Sequence, residues 1–528
     1  MLVALSRAEE VLLAPAATYS VGRRLAVYAL EVVAIAGLLG AFAWIYLTHG
    51  FQLAGFFTSD ALYLPALMQD LISDGGSYSD WNLTPSPYFF PDWPMFALSH
   101  VVTGGNVYYS VLVFTLLQFT LTYLLLRAIY GELFSDSRSI VFAIASIALL
   151  VSLTVDSVPI VQDARISAHH FGELMIILLA LWLVMRILRS PRPWPLTAVL
   201  CFVAFLTALS DGLFVVHYAI PLVFAADFIW HRREMAGRPF LCVAFLPALS
   251  AFAGSRFTLS AMPKDHQFDY RFGMEYFDDN VERVETLVSI VLNADILALA
   301  FIPLFYVTAI AVLVWHVWKS RFADNPGAVF TIVFPLVSMF FSLAMALLIN
   351  VDIPGRYVAP AFVLPIVLLF APSISISKPI AGLAAGGIVG ALALGSIVMT
   401  IIPNGFDFRS GFYPGDVACL DRTLSERGLT NGIGQYWTAK RVTALSQADL
   451  RVVSVFNHLG EYHWINNSTW FRDTYDFALV EERAEPGLRL DAKKLVSLSG
   501  EPAFKAECGF ITIYGYERDT LVTSERKP

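Results

Sequence analysis

Five carboxylates, Asp60, Asp70, Asp74, Asp80 and Asp92, fall close together in an otherwise apolar chain, within and between "FFTSDALYLPALMQDLISDGG" (56–76) and "PYFFPDWP" (88–95). Ionisable groups at membrane depth are costly and mark function by default, so these carboxylates are either well solvated or in use. Asp60 opens a segment in which Leu62, Leu64, Leu67, Met68 and Leu71 recur close to helical spacing. Ser59 or Asp60 could therefore simply cap that helix by accepting from its first free amides. The same carboxylate at a membrane face could instead take a proton as a general base. Asp92 lies within "WNLTPSPYFFPDWPMF", whose prolines stiffen the backbone and whose Trp and Tyr favour the membrane interface. A rigidly held carboxylate there is a second candidate base. Asp70, Asp74 and Asp80 read as solvated loop charges.

A second cluster is "VQDARISAHHFGELM" (161–175), with Asp163, Arg165, His169, His170 and Glu173. His169 and Glu173 are four apart and would share a helix face. Such a pair could hold a divalent metal ion, but the fuller HExxH context is missing, so the cluster reads as active-site lining rather than a metal centre. "SDGLFVVHYAIP" adds Asp211, His217 and Tyr218, with Asp211 alternatively ending a helix. "NVDIPGRYVAPAF" adds Asp352, Arg356 and Tyr357. A guanidinium held by a Pro-Gly turn suits a phosphate, which it meets as a fork; a salt bridge to Asp352 is the alternative. Lys264, His266 and Arg271 are further partners for an anionic head group. No Walker-type GxxxxGK[ST] and no GxGxxG occurs, so nothing points to a bound nucleotide.

The elements that must position these residues are membrane helices. The chain has 528 residues, 57% hydrophobic and 15% charged; soluble domains run about 45–50% apolar and 25% charged. About eleven spans are expected, roughly at 25–48, 106–129, 138–155, 171–188, 195–210, 213–230, 239–255, 295–317, 328–349, 358–373 and 379–402. The break between 210 and 213 rests on "SDG", a turn signal with an Asp that would be costly in mid-span. Arg23 and Arg24, Arg127 and Arg138, Arg186 to Arg192, Arg232 to Arg238, Lys319 with Arg321, and Lys378 make every second loop basic. That alternation puts the N-terminus in the cytoplasm and the C-terminus outside. No cleaved signal peptide is expected, so the first span is retained.

The expected organisation is a cytoplasmic N-terminus (1–24), a membrane domain (25–402) with long outer loops at 49–105 and 256–294, and an outer tail (403–528). "NVERVETLVSIVLNAD" (280–295) reads as an amphipathic interfacial helix. In the tail, "GDVACLDRTLSERG" reads as a helix, and "LRVVSVF" and "FITIYGYE" as strands, which makes a small α/β domain. Cys419 and Cys508 in that outer domain are a disulfide candidate, while Cys201 and Cys242 lie within spans. A formal net charge of −8 argues against a nucleic-acid partner. "GIGQYWTAKR" and "NHLGEYHWINNSTWF" combine rings with amides, a mixture that suits carbohydrate but also ordinary core packing.

Through "FFTSDALYLP" after the first span, with "SDGLFVVHYAIP" and "GRYVAP" further on, the chain resembles the GT-C superfamily of polytopic glycosyltransferases over about residues 25–402. The resemblance implies a polytopic α-helical membrane fold with an appended extracytoplasmic α/β domain. It implies a polyprenyl-phosphate-linked sugar as donor, a glycan or lipid acceptor, surrounding membrane lipids, and work at the outer face of the inner membrane. Asp60 takes the place of the family's acidic residue in the first outer loop and so becomes the expected general base. Many members pair Asp with Glu there; this chain has Ser59-Asp60, which leaves Asp92 or Asp163 as the second acid and metal dependence open. Arg356 with Tyr357, Arg165, Lys264, His169 and His170 would line the donor phosphate. A transporter or flippase of a lipid-linked substrate is the competing class, but the chain lacks the internal repeats and midplane charges typical of one.

Overall fold

The computed structural model describes residues 21–50, 53–231, 237–261, 271–319, 326–350, 355–375, 379–404 and 406–523. Residues 1–20, Lys264, His266 and Asp352 therefore lie outside the described residues. Among these, nine helices are long and apolar enough to cross a membrane, from Leu25–Leu47 to Pro379–Pro403. Two shorter apolar helices, Trp194–Ser210 and Val215–His231, occupy the remaining expected positions. The helix Trp194–Ser210 stops with Asp211 at its C-cap, at the expected Ser-Asp-Gly break. The chain is a multi-pass membrane protein with a C-terminal α/β region.

The chain divides into two compact units that do not follow chain order. The first comprises residues 1–51, 88–94 and 114–408, and the second comprises 52–87, 95–113 and 409–528. Small residues let helices in the first unit approach closely, the usual device where lipid removes the hydrophobic drive. Leu246–Ala261 packs on Trp194–Ser210 where Gly254 meets the backbone of Phe205, leaving no room for a side chain. Pro379–Asn404 lies on Arg138–Val155, with Gly386 against Val141 and Phe142. The ion pair Glu31–Arg127, 2.9 Å, neutralises the charge near the start of the first span.

In the second unit, strands β1 (Asn431–Gly434), β2 (Arg451–Ser454), β4 (Phe477–Glu481), β5 (Phe504–Cys508) and β6 (Ile511–Gly515) form a sheet ordered β2-β1-β4-β6-β5. β1 pairs in parallel with β2 and β4, and β6 pairs antiparallel with β4 and β5. β3 (Thr474–Tyr475) and β7 (Leu521–Val522) make a separate two-stranded ribbon. The helix Tyr436–Leu445 is the crossover between β1 and β2, the connection a parallel pair requires. Ile433, Val453, Ala478, Val480 and Leu495 are among the buried core residues. Gly415–Ser425 is the expected helix, and Cys419 and Cys508 are joined in a disulfide. Cys201 and Cys242 are free. Phe277–Ala294 is the expected amphipathic helix.

The first-loop carboxylates behave differently from one another. The short helix Tyr63–Met68 has Leu62 at its N-cap and no side-chain cap, so neither Ser59 nor Asp60 caps it. Ser59 Oγ instead donates to the carbonyl of Tyr436 at 2.6 Å, and the Tyr436 hydroxyl donates to Asp60 Oδ1. Asp70 is not solvated as expected; it is 5% exposed. Its Oδ2 accepts from the Trp81 indole at 2.7 Å and from Asn467 Nδ2 at 2.9 Å. A buried carboxylate needs such donors, and here one is local and the other, Asn467, lies far along the chain. Asp74 is exposed and Asp80 partly so, as expected of solvated charges.

Candidate active site

Within the first unit, three segments converge: Tyr88–Asp92, the stretch 157–173, and the turn after Ser210. Ser210 ties two of them, since its carbonyl accepts from the Tyr88 amide at 3.1 Å and its hydroxyl from the Phe90 amide at 2.8 Å. Tyr88, Ser157, Ile160, Ala168 and His170 all have left-handed backbone conformations, with φ of 61°, 58°, 70°, 57° and 65°. Non-glycine residues held this way cost of order 1–3 kcal/mol each and cluster where function over-determines the backbone.

The left-handed His170 sits at the N-cap of Phe171–Arg189. His169 therefore precedes the helix and does not share a face with Glu173, contrary to the four-residue spacing. Its Nδ1 lies 3.0 Å from the Ser167 carbonyl. His170 instead joins Glu173 and Asp211, whose ligand atoms all lie within 4.8 Å of one another. All three are buried.

Asp211 Oδ2 faces His170 Nδ1 in a close ion pair. Nδ1 must then carry a proton in either charge state of the ring, and when the ring is neutral its lone pair is on Nε2. That nitrogen lies 3.0 Å from the Tyr88 hydroxyl, which donates to the neutral ring and accepts from the imidazolium. The result is a Tyr88–His170–Asp211 relay. Burial alone would raise the Asp211 carboxyl, but the charge and hydrogen bond of His170 and the Leu213 amide bring it below the usual range. Beside it, His217 Nε2 donates to the Tyr357 carbonyl at 2.8 Å, and His217 Nδ1 lies 2.9 Å from Glu173 Oε1. One proton is therefore held between Glu173 and His217. Glu173 Oε2 is buried with no hydrogen-bond donor in the structure. With the His170 Nδ1 proton displaced, that oxygen, a second carboxylate and an imidazole form a donor set that fits a divalent cation.

Asp92 is 2% exposed and accepts from the Ala168 amide at 3.0 Å. Burial pushes its carboxyl up to about 7, partly opposed by that amide and reinforced by the charge of Asp211. It is thus poised to exchange a proton near neutrality. Asp163 is also raised by burial, against the lowering charges of His169, Arg356, His170 and Arg165. Arg356 also acts on Tyr88, and the Tyr357 ring meets His170 edge to face at 5.7 Å. Arg165 is 2% exposed and its guanidinium is spent on the Thr154 carbonyl (3.2 Å), Ser157 and Gln162. Burial lowers it to about 10. It braces the loop between two helices rather than presenting a bare fork.

Asp92, His170 and Glu173 are thus gathered with Asp211, His217 and Tyr357. Asp60 belongs to the other unit. Tyr88 was missed from the sequence; its one local signal is a position between Pro87 and the Phe90-Pro91 pair that rigidifies the return segment.

No protein-family model matches the chain, and no curated protein matches it in sequence. Among solved structures it is similar to the oligosaccharyltransferase of Archaeoglobus fulgidus in its apo form, with a TM-score of 0.47 and 11% identity over 85% of this chain and 69% of that one. Against the same enzyme in complex with Zn and sulfate the TM-score is 0.42, with 11% identity over 83% and 63%. Against the arabinofuranosyltransferase AftD from Mycobacteria it is 0.40, with 12% identity over 93% and 40%. The chain thus spans less than two thirds of the zinc- and sulfate-bound enzyme's length.

Proposed function

We propose that this chain is a membrane glycosyltransferase that moves a sugar from a polyprenyl-phosphate donor to a cell-envelope glycan or lipid acceptor. The reaction takes place at the outer face of the inner membrane, with the N-terminus cytoplasmic and the C-terminus outside. The observation that carries this reading is the buried Asp92, titrating near 7 beside the Tyr88–His170–Asp211 relay in a membrane-embedded unit.

Asp92 takes the proton of an acceptor hydroxyl as that oxygen bonds to the anomeric carbon. The bond from the anomeric carbon to the phosphate oxygen breaks, and its electron pair leaves with the polyprenyl phosphate. Arg356 meets the departing phosphate as a fork. Tyr88, held by His170, orients a sugar or acceptor hydroxyl in the site. With the proton between His170 Nδ1 and Asp211 displaced, His170, Glu173 and Asp211 would hold a divalent cation, which would supply positive charge for the leaving phosphate. Asp60, the base expected from its loop, lies in the other compact unit, where it accepts from the Tyr436 hydroxyl, and is the alternative base.

The test is transfer of labelled sugar from polyprenyl-phosphate donors to an envelope extract in membranes bearing wild type, Asp92→Asn or Asp60→Asn. Loss with Asp92→Asn and retention with Asp60→Asn is expected. The reverse pattern would return the base to Asp60. Label that crosses the bilayer on its own lipid, without transfer, would replace this reading with a transporter.

A further inference from the structure

The α/β unit carries a cleft of about 610 Å³, within the range of small-ligand sites (about 300–1,000 Å³). Its lining includes Trp437, Phe510, Asp416, Arg441, Glu481 and Arg483. Trp437 is 44% exposed and Phe510 49% exposed, although both belong to a unit with an ample buried core. Half-exposed rings that line a cleft of ligand size offer flat faces on which a ligand can stack.

The Trp437 ring is held in place. It is the second residue of Tyr436–Leu445, whose N-cap Gln435 accepts from the Trp437 amide at 2.8 Å. Its ring packs edge to face on Tyr436 at 4.9 Å, and Tyr436 is fixed at both ends by Ser59 and Asp60. The indole is therefore a preorganised platform, which limits the entropy lost on binding.

The polar groups around it cancel. Arg441 is paired with Asp416, and the Arg483 guanidinium stacks on the Phe510 ring. Glu481 accepts from Gln435 and Thr438. Two carboxylates and two guanidiniums leave no net charge for an anion to seek. They nonetheless present many hydrogen-bonding atoms. A ligand that lays an apolar C–H face on an indole while turning hydroxyls to carboxylate and guanidinium edges is a pyranose or furanose ring.

We propose that this cleft is a saccharide-binding site for a neutral glycan, with one sugar ring stacked on Trp437 and its hydroxyls paired with Asp416, Arg441 and Glu481. Binding here needs no donor and no turnover, so the proposal stands or falls apart from the transferase reading.

The full chain in detergent micelles is titrated with linear oligosaccharides of glucose, galactose, mannose and arabinose, and with an oligouronate as the anionic counterpart. Saturation-transfer NMR reads which sugar protons lie against protein, and calorimetry reads affinity. At least one neutral oligosaccharide is expected to bind. Trp437→Ala should weaken that binding at least tenfold, and Trp437→Phe should keep it within about threefold. Far-ultraviolet circular dichroism of both variants is expected to match wild type. Binding of none of the neutral oligosaccharides, binding by the oligouronate alone, or affinity unchanged in a folded Trp437→Ala would overturn the proposal.

Discussion

Gly172 lies against the Asp92 carboxylate so closely that a Cβ there would overlap Oδ2 and touch Pro91 Cδ at 3.0 Å. The glycine opens the first turn of Phe171–Arg189, in the same stretch as His170 and Glu173. Gly172→Ala should displace Asp92 from the Ala168 amide without removing any polar group. Transfer activity is expected to fall by about 10²-fold or more, the scale of a lost general base. Helical content should hold. A variant with full activity would show that Asp92 needs no fixed position.

Asp92 must be ionised to accept a proton, and burial disfavours that form. Activity should therefore climb with pH through about 7, and Asp92→Asn should abolish the climb along with the activity. Stability follows the opposite slope. An unfolded Asp titrates near about 4, so between there and about 7 the folded chain binds more protons and loses stability as pH rises. Melting of Asp92→Asn across that window should be flatter than wild type.

The relay fixes a tautomer. With Nδ1–H donated to Asp211, neutral His170 should appear by ¹⁵N NMR as the Nδ1–H form, with Nε2 accepting from Tyr88. Tyr88→Phe should leave that tautomer in place but remove the donor. A hydrogen bond between neutral groups is worth about 0.5–1.5 kcal/mol, so transfer should drop by roughly 2- to 10-fold. A protonated Nε2 in the neutral ring would refute the assignment.

Lys440 is 3% exposed, and its ammonium donates to the Ile465 carbonyl. Burial lowers it to about 7, against the raising charge of Asp60. Above that pH the unfolded chain holds a proton that the folded chain has shed, so stability should rise between about 7 and 10, by at most about 1.4 kcal/mol per pH unit. Lys440→Met should flatten that rise, read by thermal unfolding of the full chain in micelles.

Asp70 holds the Trp81 indole and the Asn467 amide. Asp70→Ala leaves both donors buried and unpaired, a cost of about 1–3 kcal/mol each. Limited proteolysis should then cut the 69–87 region faster than in wild type. An unchanged rate would mean that water replaces the carboxylate.

The sequence by itself determined the membrane helices, the break at "SDG", the disulfide pair and the α/β character of the tail. Each follows from local information: apolar runs of span length, a turn tripeptide, two cysteines in an outer domain, and alternation. Tertiary structure alone decided what each carboxylate touches. Asp60 and Asp70 look alike in sequence, yet both are held by residues nearly 400 positions away. The spacing of His169 and Glu173 promised a shared helix face, but the left-handed His170 starts the helix one residue too late and delivers itself instead. Tyr88, His170 and Asp211 are spread over more than 100 residues and meet because Ser210 pins the return segment. Periodicity reports the face of one element. A site built from the ends of several elements depends on where their backbones turn, and here those turns are left-handed at residues whose types do not announce them.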